Sequence, residues 1–185
     1  MWRRGFSLVE LLVVLAILAF VALIGTIQVL GFIQKNELQS EAQQIKAFLQ
    51  DVPQLVAKHQ APLWVIFRPA GGTGPGGVLR VARDQAGTQV LRERQIKSSI
   101  AFGLTSAVEW LNWAPGAVSG TYTLACDTFN RAVRPGPAGL EQIQSPALGV
   151  LVHEKMRTGN LRPRYRWVLS ISPVWDVGLV RGPAT

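Results

Sequence analysis

Hydrophobic and polar positions follow three successive patterns along the chain. From Leu11 to Gln34 no residue is charged, and Leu, Val, Ile, Ala and Phe fill the run on every side. Those 24 residues, at about 1.5 Å of helical rise each, are long enough for a hydrocarbon core of about 30 Å. From Lys35 the pattern turns amphipathic. Leu38, Ala42, Ile45, Leu49, Val52 and Val56 recur in steps of four and three, while Lys35, Glu37, Glu41, Gln43, Gln44, Lys46 and Asp51 take the other faces. This spacing predicts a helix over 35–60 with one buried stripe, kinked at Pro53 and bounded by Pro62. Beyond Pro62, β-rich runs alternate with turns: 63–67, 78–83, 88–94, 99–104, 121–126, 148–153, 164–172 and 177–181 read as strands. The fold class expected is α+β, a long N-terminal hydrophobic helix carrying a β-rich, sandwich-like head over 63–185.

The polar residues bordering the apolar run carry the first functional signal. Arg3 and Arg4 precede it and no basic residue follows until Lys35, which keeps the N-terminal end cytoplasmic and sends the rest outside. A secretory signal peptide would have a shorter apolar core and a small-x-small cleavage site, which Gly25–Thr26–Ile27 does not supply. A plain membrane anchor explains the length and the arginines but not Glu10, since a carboxylate in an apolar helix costs a few kcal/mol and calls for a partner. Gly25 and Gly31 each weaken the helix by about 1 kcal/mol relative to alanine. They mark either close helix packing or a stretch that loosens on leaving the bilayer.

Gly5–Phe6–Ser7–Leu8–Val9–Glu10 followed by an apolar helix resembles the class III leader junction of type IV pilins and type II secretion pseudopilins. The resemblance covers the first fifth of the chain. It implies a leader over 1–5, cleavage between Gly5 and Phe6 by a prepilin peptidase, and N-methylation of Phe6. It also implies a transmembrane and assembly helix over 6–34, continued by the amphipathic stretch 35–60. Glu10, one turn beyond the new amine, suits the positive end of the helix dipole. It can neutralise its own amine or that of a neighbouring helix, so that Phe6 and Glu10 guide assembly. The partners implied are the prepilin peptidase, other pilins through the stem and an inner-membrane assembly platform. The place implied is the bacterial inner membrane, single pass with the head outside, and then a periplasmic or surface filament.

A looser resemblance lies at the other end. Ile171–Ser172–Pro173 followed by Gly178–Leu179–Val180–Arg181 is similar to the closing strands of GspH/FimT-type minor pseudopilins. The DNA-uptake members carry a glycine and alternating arginines there, whereas this chain has Trp175–Asp176–Val177 before the glycine and only Arg181 after it. The function implied is a minor pilin or pseudopilin in pilus assembly or DNA uptake, or else a GspH-like subunit of type II secretion without DNA binding.

Charge bears on that choice. The formal net charge is +8, of which Arg3 and Arg4 supply two. Residues 155–167 hold five cations and no acid, among them Arg157, Arg162, Arg164 and Arg166. On an extended chain Arg162, Arg164 and Arg166 face one way and Tyr165 and Trp167 the other. Such a row can follow a phosphate backbone, with Arg181 as a fifth candidate cation. Alternation also fits a solvated hairpin whose aromatics enter the core, which is the plainer reading.

No catalytic, cofactor or metal site emerges, and the chain does not read as an enzyme. Gly72 to Gly77 satisfies G-x-G-x-x-G in letters, but the strand-like Val78–Arg83 follows it, where a phosphate loop opens a helix. Pro135–Gly136–Pro137–Ala138–Gly139 reads as a loop. His59, His153 and Cys126 are too few for a usual zinc site. Cys126, in a strand-like run, reads as a buried small apolar residue, and as the lone cysteine it allows no internal disulfide.

Overall fold

The computed structural model describes residues 8–69, 76–105, 122–136, 139–144, 146–153 and 166–181, without the side chains at 23–28, 69, 103–105, 122, 136, 148–150 and 152–153. Helix α1 spans Leu8–Gln50 and helix α2 spans Val52–His59. The chain divides into two compact units, Met1–Asn36 and Glu37–Thr185.

The division between α1 and α2 comes from Pro53, which has no N–H to give the Leu49 carbonyl. Helical bonding persists on either side, from Asp51 N–H to Ala47 O (3.2 Å) and from Leu55 N–H to Asp51 O (3.2 Å). The expected kink is thus a break of one hydrogen bond. Gln60 closes α2 in the left-handed conformation (φ 51°), its N–H donating to Val56 O at 2.8 Å.

The head forms two antiparallel sheets. The first runs β3-β2-β1-β5-β6-β7 and the second β10-β9-β8-β4. Their strands are β1 Leu63–Pro69, β2 Gly77–Ala82, β3 Val90–Ile96, β4 Ile100–Thr105, β5 Tyr122–Cys126, β6 Ala132–Gly136, β7 Gly139–Gln142, β8 Ala147–His153, β9 Trp167–Ile171 and β10 Val177–Arg181. All eight expected runs contain a strand. β6 and β7 are a correction: the ends of the expected 135–139 loop belong to a β-hairpin. Pro135 is tolerated there because the β5–β6 ladder stops at Ala125–Val133, and Pro135 pairs only with Leu140 on β7.

One core joins the helices and both sheets. Leu38, Ala42, Ile45, Leu49, Val52 and Val56, the whole predicted stripe, are buried in it. Alternate residues of β1 (Leu63, Val65, Phe67) meet Phe102, Leu151 and Leu169 of the second sheet. Phe67 and Phe102 touch edge-to-face with ring centroids 4.4 Å apart.

A polar seam runs beside this stripe. Along α1 and just past its end, Glu37, Glu41, Gln44, Phe48 and Asp51 follow the same four-three rhythm and meet β3, an edge strand of the first sheet, and the residues just after it. Glu37 Oε1 accepts from Ser99 Oγ (2.9 Å) and Lys97 Nζ (3.4 Å). Arg94 Nη2 donates to Glu41 Oε1 (3.0 Å) and Gln44 Oε1 (2.7 Å), and Arg92 Nη1 donates to Asp51 Oδ2 (2.6 Å). The Arg92 guanidinium also lies 4.9 Å over the Phe48 ring. Glu41 corrects the expectation of a solvated face, being 1% exposed. It is buried because an arginine 53 residues away in sequence comes to meet it. The seam also guards β3, whose open edge would otherwise invite another strand.

The break at Pro53 has its own partner. The indole N–H of Trp175 donates to Leu49 O at 3.0 Å, which occupies the carbonyl that proline leaves empty. Trp175 lies in the β9–β10 turn at φ 54°, a costly conformation for a bulky residue. Ser172 N–H to Asp176 O (2.9 Å) and Trp175 N–H to Ser172 O (3.0 Å) hold that turn, and Pro173 O accepts from Ala132 N–H of the first sheet (2.9 Å). A single turn therefore ties the helix break to both sheets.

The β5–β6 turn is held by Asp127, whose Oδ1 accepts from the N–H groups of Phe129 (2.9 Å) and Arg131 (2.8 Å) and whose Oδ2 accepts from Arg131 Nε (2.7 Å). Burial raises the Asp127 pKa, but the Arg131 backbone and side chain and the Phe129 N–H outweigh it, and the carboxyl titrates below its ordinary value.

Three measurements on a head fragment starting at Glu37 check these contacts. Trp175→Phe keeps the ring but orphans the Leu49 carbonyl, and urea unfolding should show a loss of about 1–3 kcal/mol. Arg94→Ala strands a buried carboxylate and should cost about 3 kcal/mol or more, while the double change Glu41→Met with Arg94→Met should recover most of it. Because the folded Asp127 pKa is lowered, its contribution is present above the unfolded value of about 3.9 and is lost as pH falls through the folded one. The stability gap between wild type and Asp127→Asn should therefore hold at pH 5–7 and close below about pH 4.

Candidate functional site

The N-terminal unit holds the residues with the clearest chemistry. Gly5 and Phe6 lie outside the described residues. Glu10 stands in the first turn of α1 and is exposed. The described side chains around it are apolar and exposed in every direction, from Leu8 at 76% to Phe20 at 65%. A helix apolar all round is covered by lipid or by other helices, never by water alone. Among the described residues no helix is long and apolar enough to cross a membrane. The described apolar side chains cover 8–22 and resume at Val29. A Cβ built on Gly31 would meet nothing within 4 Å, so no contact among the described residues requires glycine there.

The candidate cations do not form the expected row within the described residues. Arg157, Arg162 and Arg164 lie outside them. Arg166 precedes β9 and is 1% exposed, which corrects the expectation of an exposed cation there. Arg166 shares a face of β9 with Val168, and Val168 is buried as well. Alternation fixed the side of the strand, but that side is not open to solvent at this point. Trp167 packs partly against the core, as alternation predicts. Arg181 is exposed at the end of β10, in register with Trp167.

Elsewhere the chemistry is structural. Cys126 is buried, and burial together with the neighbouring Asp127 charge pushes its thiol up to about 12, so it is no nucleophile near neutral pH. His59 Nδ1 lies 3.0 Å from Arg83 Nη2 at the end of α2. Among the described residues no group of His, Cys, Asp and Glu could hold a metal ion. Gly76 and Gly77 open β2, not a helix. Gly76 is needed for its backbone (φ 81°) and for space, since a Cβ there would lie 3.2 Å from Ser98 Cα. Between the sheets a cavity of about 20 Å³, bounded by Leu49, Phe67, Phe102 and Leu169 among others, is wholly apolar and has room for about one water.

Sequence reasoning missed two of the head's fastenings, Glu41–Arg94 and Trp175–Leu49. The charge at Glu41, one step beside the apolar stripe, is a visible signal for the first. Nothing local marks the second, which joins residues 126 apart.

Comparison with known proteins places these features. Residues 3–26 match the prokaryotic N-terminal methylation motif. The fold is similar to that of the type IV minor pilin FimU of Pseudomonas aeruginosa (strain PAO1), with a TM-score of 0.52 and 18% identity over 80% of this chain and 92% of that one. The minor pseudopilin EpsH from the type 2 secretion system of Vibrio cholerae aligns at a TM-score of 0.47 and 11% identity, over 78% of this chain and 97% of that one. No curated protein matches by sequence. The chain therefore carries a prokaryotic N-terminal methylation motif at its start and, behind it, a fold similar to that of the minor pilin FimU.

Proposed function

We propose that this protein is a minor pilin or pseudopilin, a structural subunit of a type IV pilus-like filament. In this reading a prepilin peptidase cleaves between Gly5 and Phe6 and Phe6 is methylated. Residues 6–34 then anchor the chain in the bacterial inner membrane with the head outside the cytoplasm. An assembly platform draws the subunit into a filament, where other stems replace lipid around the apolar helix. The observation that carries this reading is the methylation motif at 3–26 overlapping a helix whose side chains from Leu8 to Ala22 are all exposed and, Glu10 excepted, all apolar.

The roles of Phe6 and Glu10 follow from electrostatics. Cleavage leaves a cationic amine at a helix start, and a carboxylate one turn on stabilises that end of the dipole. Within lipid the pair is strong because water does not screen it. An amine of one subunit beside Glu10 of the next sets their axial stagger, and docking then recovers part of the cost of holding the charge in lipid. Burial of Arg166 removes one member of the cationic row, so the reading without DNA capture, as a pilus or type II secretion subunit, is preferred.

Glu10→Gln should leave cleavage and membrane insertion intact while reducing recovery in sheared filaments about tenfold or more. Immunoblots of membrane and filament fractions from cells carrying the assembly system measure this. Filament recovery equal to wild type would remove Glu10 from assembly.

A further inference from the structure

We infer that the edge of β10, which pairs with no further strand among the described residues, is a pairing surface for β10 of a second copy of this chain, aligned antiparallel with Leu179 opposite Leu179.

Hydrogen-bond parity identifies what the edge offers. Ser172 N–H donates to Asp176 O across the β9–β10 turn, so Asp176, Gly178 and Val180 turn their backbone groups toward β9. In an antiparallel ladder the alternate residues face the other way. Val177, Leu179 and Arg181 therefore aim N–H and C=O outward, about 6.8 Å apart from one outward residue to the next. The same parity carried across β9 and β8 turns the groups of Ile100 away from β8. Gly76 N–H bonds Ile100 O there at 2.7 Å, as the pattern requires.

Among the described residues the other sheet edges each carry a contact or charges that β10 lacks. β3 lies under the ion-pair seam from α1, with Arg92 and Arg94 on its own face. β4 gives Ile100 O to Gly76. β7 has four residues, and its Gln142 side chain is drawn to Pro173 O at 3.3 Å. β10 carries neither a charge within Val177–Val180 nor a proline, and its Val180 is 62% exposed. These are the features of an edge left open to pairing.

The strand complements itself. With Leu179 on the twofold axis, the outward groups of Val177, Leu179 and Arg181 meet those of Arg181, Leu179 and Val177 in the second copy. Val180 falls opposite Gly178 of the second copy, where no side chain competes for the outer face. Each Arg181 arrives beside Val177 of the second copy, at the two ends of the ladder. Two four-stranded sheets would become one of eight. So short a ladder buries little area and is weak between freely diffusing molecules. Two copies held in one membrane meet at a high effective concentration. That confinement rests on the membrane-anchored reading above; the edge itself does not.

The test is disulfide trapping in the full-length chain, whose native Cys126 is buried and silent. In membranes under mild oxidation, Leu179→Cys should give a covalent dimer, because facing residues of a hydrogen-bonded pair lie about 5.5 Å apart at Cα. Val174→Cys, more exposed at 67% but in the turn off the edge, should give at least about tenfold less dimer. Adding Val180→Lys to Leu179→Cys should cut the dimer about fivefold or more, since two lysines then meet on the outer face. If Leu179→Cys does not fold, Val180→Cys reads the same register. The diagonal 180–180 distance of about 7–8 Å suits a short bis-thiol reagent but not a direct disulfide. Monomeric Leu179→Cys in the membrane fraction, or equal trapping of Leu179→Cys and Val174→Cys, overturns the pairing. A chain found in the soluble fraction overturns the anchor instead. The same oxidation on concentrated purified protein then decides the edge.

Discussion

A proline cannot supply the hydrogen bond that a helix requires at its position, and the head of this protein is organised around that missing bond. Pro53 leaves the Leu49 carbonyl without its helical donor, and the Trp175 indole fills the place. A buried carbonyl left unmet costs about 1–3 kcal/mol. The turn that delivers the indole also bonds Ala132 of the first sheet and closes the β9–β10 hairpin of the second. One local deficit therefore coordinates three parts of the fold. The strain at Trp175 is tolerable because the surrounding bonds leave the turn no alternative.

The seam between α1 and β3 adds direction to this arrangement. Apolar packing alone would let the helix slide or rotate against the sheets, since burial depends on area and not on orientation. Glu41 and Arg94 make such a slip costly, because a displaced Glu41 would be a buried charge without its cation. Asp51 and Glu37 extend the constraint to both ends of the seam.

The sequence was most informative where local periodicity decides structure. The stripe from Leu38 to Val56 is buried residue for residue, because four-three spacing leaves a helix one apolar face to hide. The β-rich runs became strands for the same kind of reason. β6 escaped notice because Pro135 and its glycines are turn residues, and only a short ladder on one side lets them be strand. Glu41 and Arg166 were misplaced because pattern gives the side of an element, while burial depends on what packs against that side. The amine–carboxylate pairing at Phe6 and Glu10 is what the resemblance of Gly5–Glu10 to a prepilin leader junction implies. In a single chain Glu10 stands exposed on its helix, where its assembly partner would be another subunit.

The division of labour between the units follows. Among the described residues before Asn36 the exposed side chains are apolar apart from Glu10 and Lys35, whereas the unit from Glu37 onward buries most of its apolar side chains in a core of its own. An exposed apolar surface of that extent on the first unit marks it as a surface for lipid or for other helices. The most direct test is the mass of the N-terminal peptide of the chain recovered from cell membranes. A peptide beginning at N-methylated Phe6 is the expected result. A mature chain that keeps Met1 to Gly5 in cells with an active prepilin peptidase would contradict it.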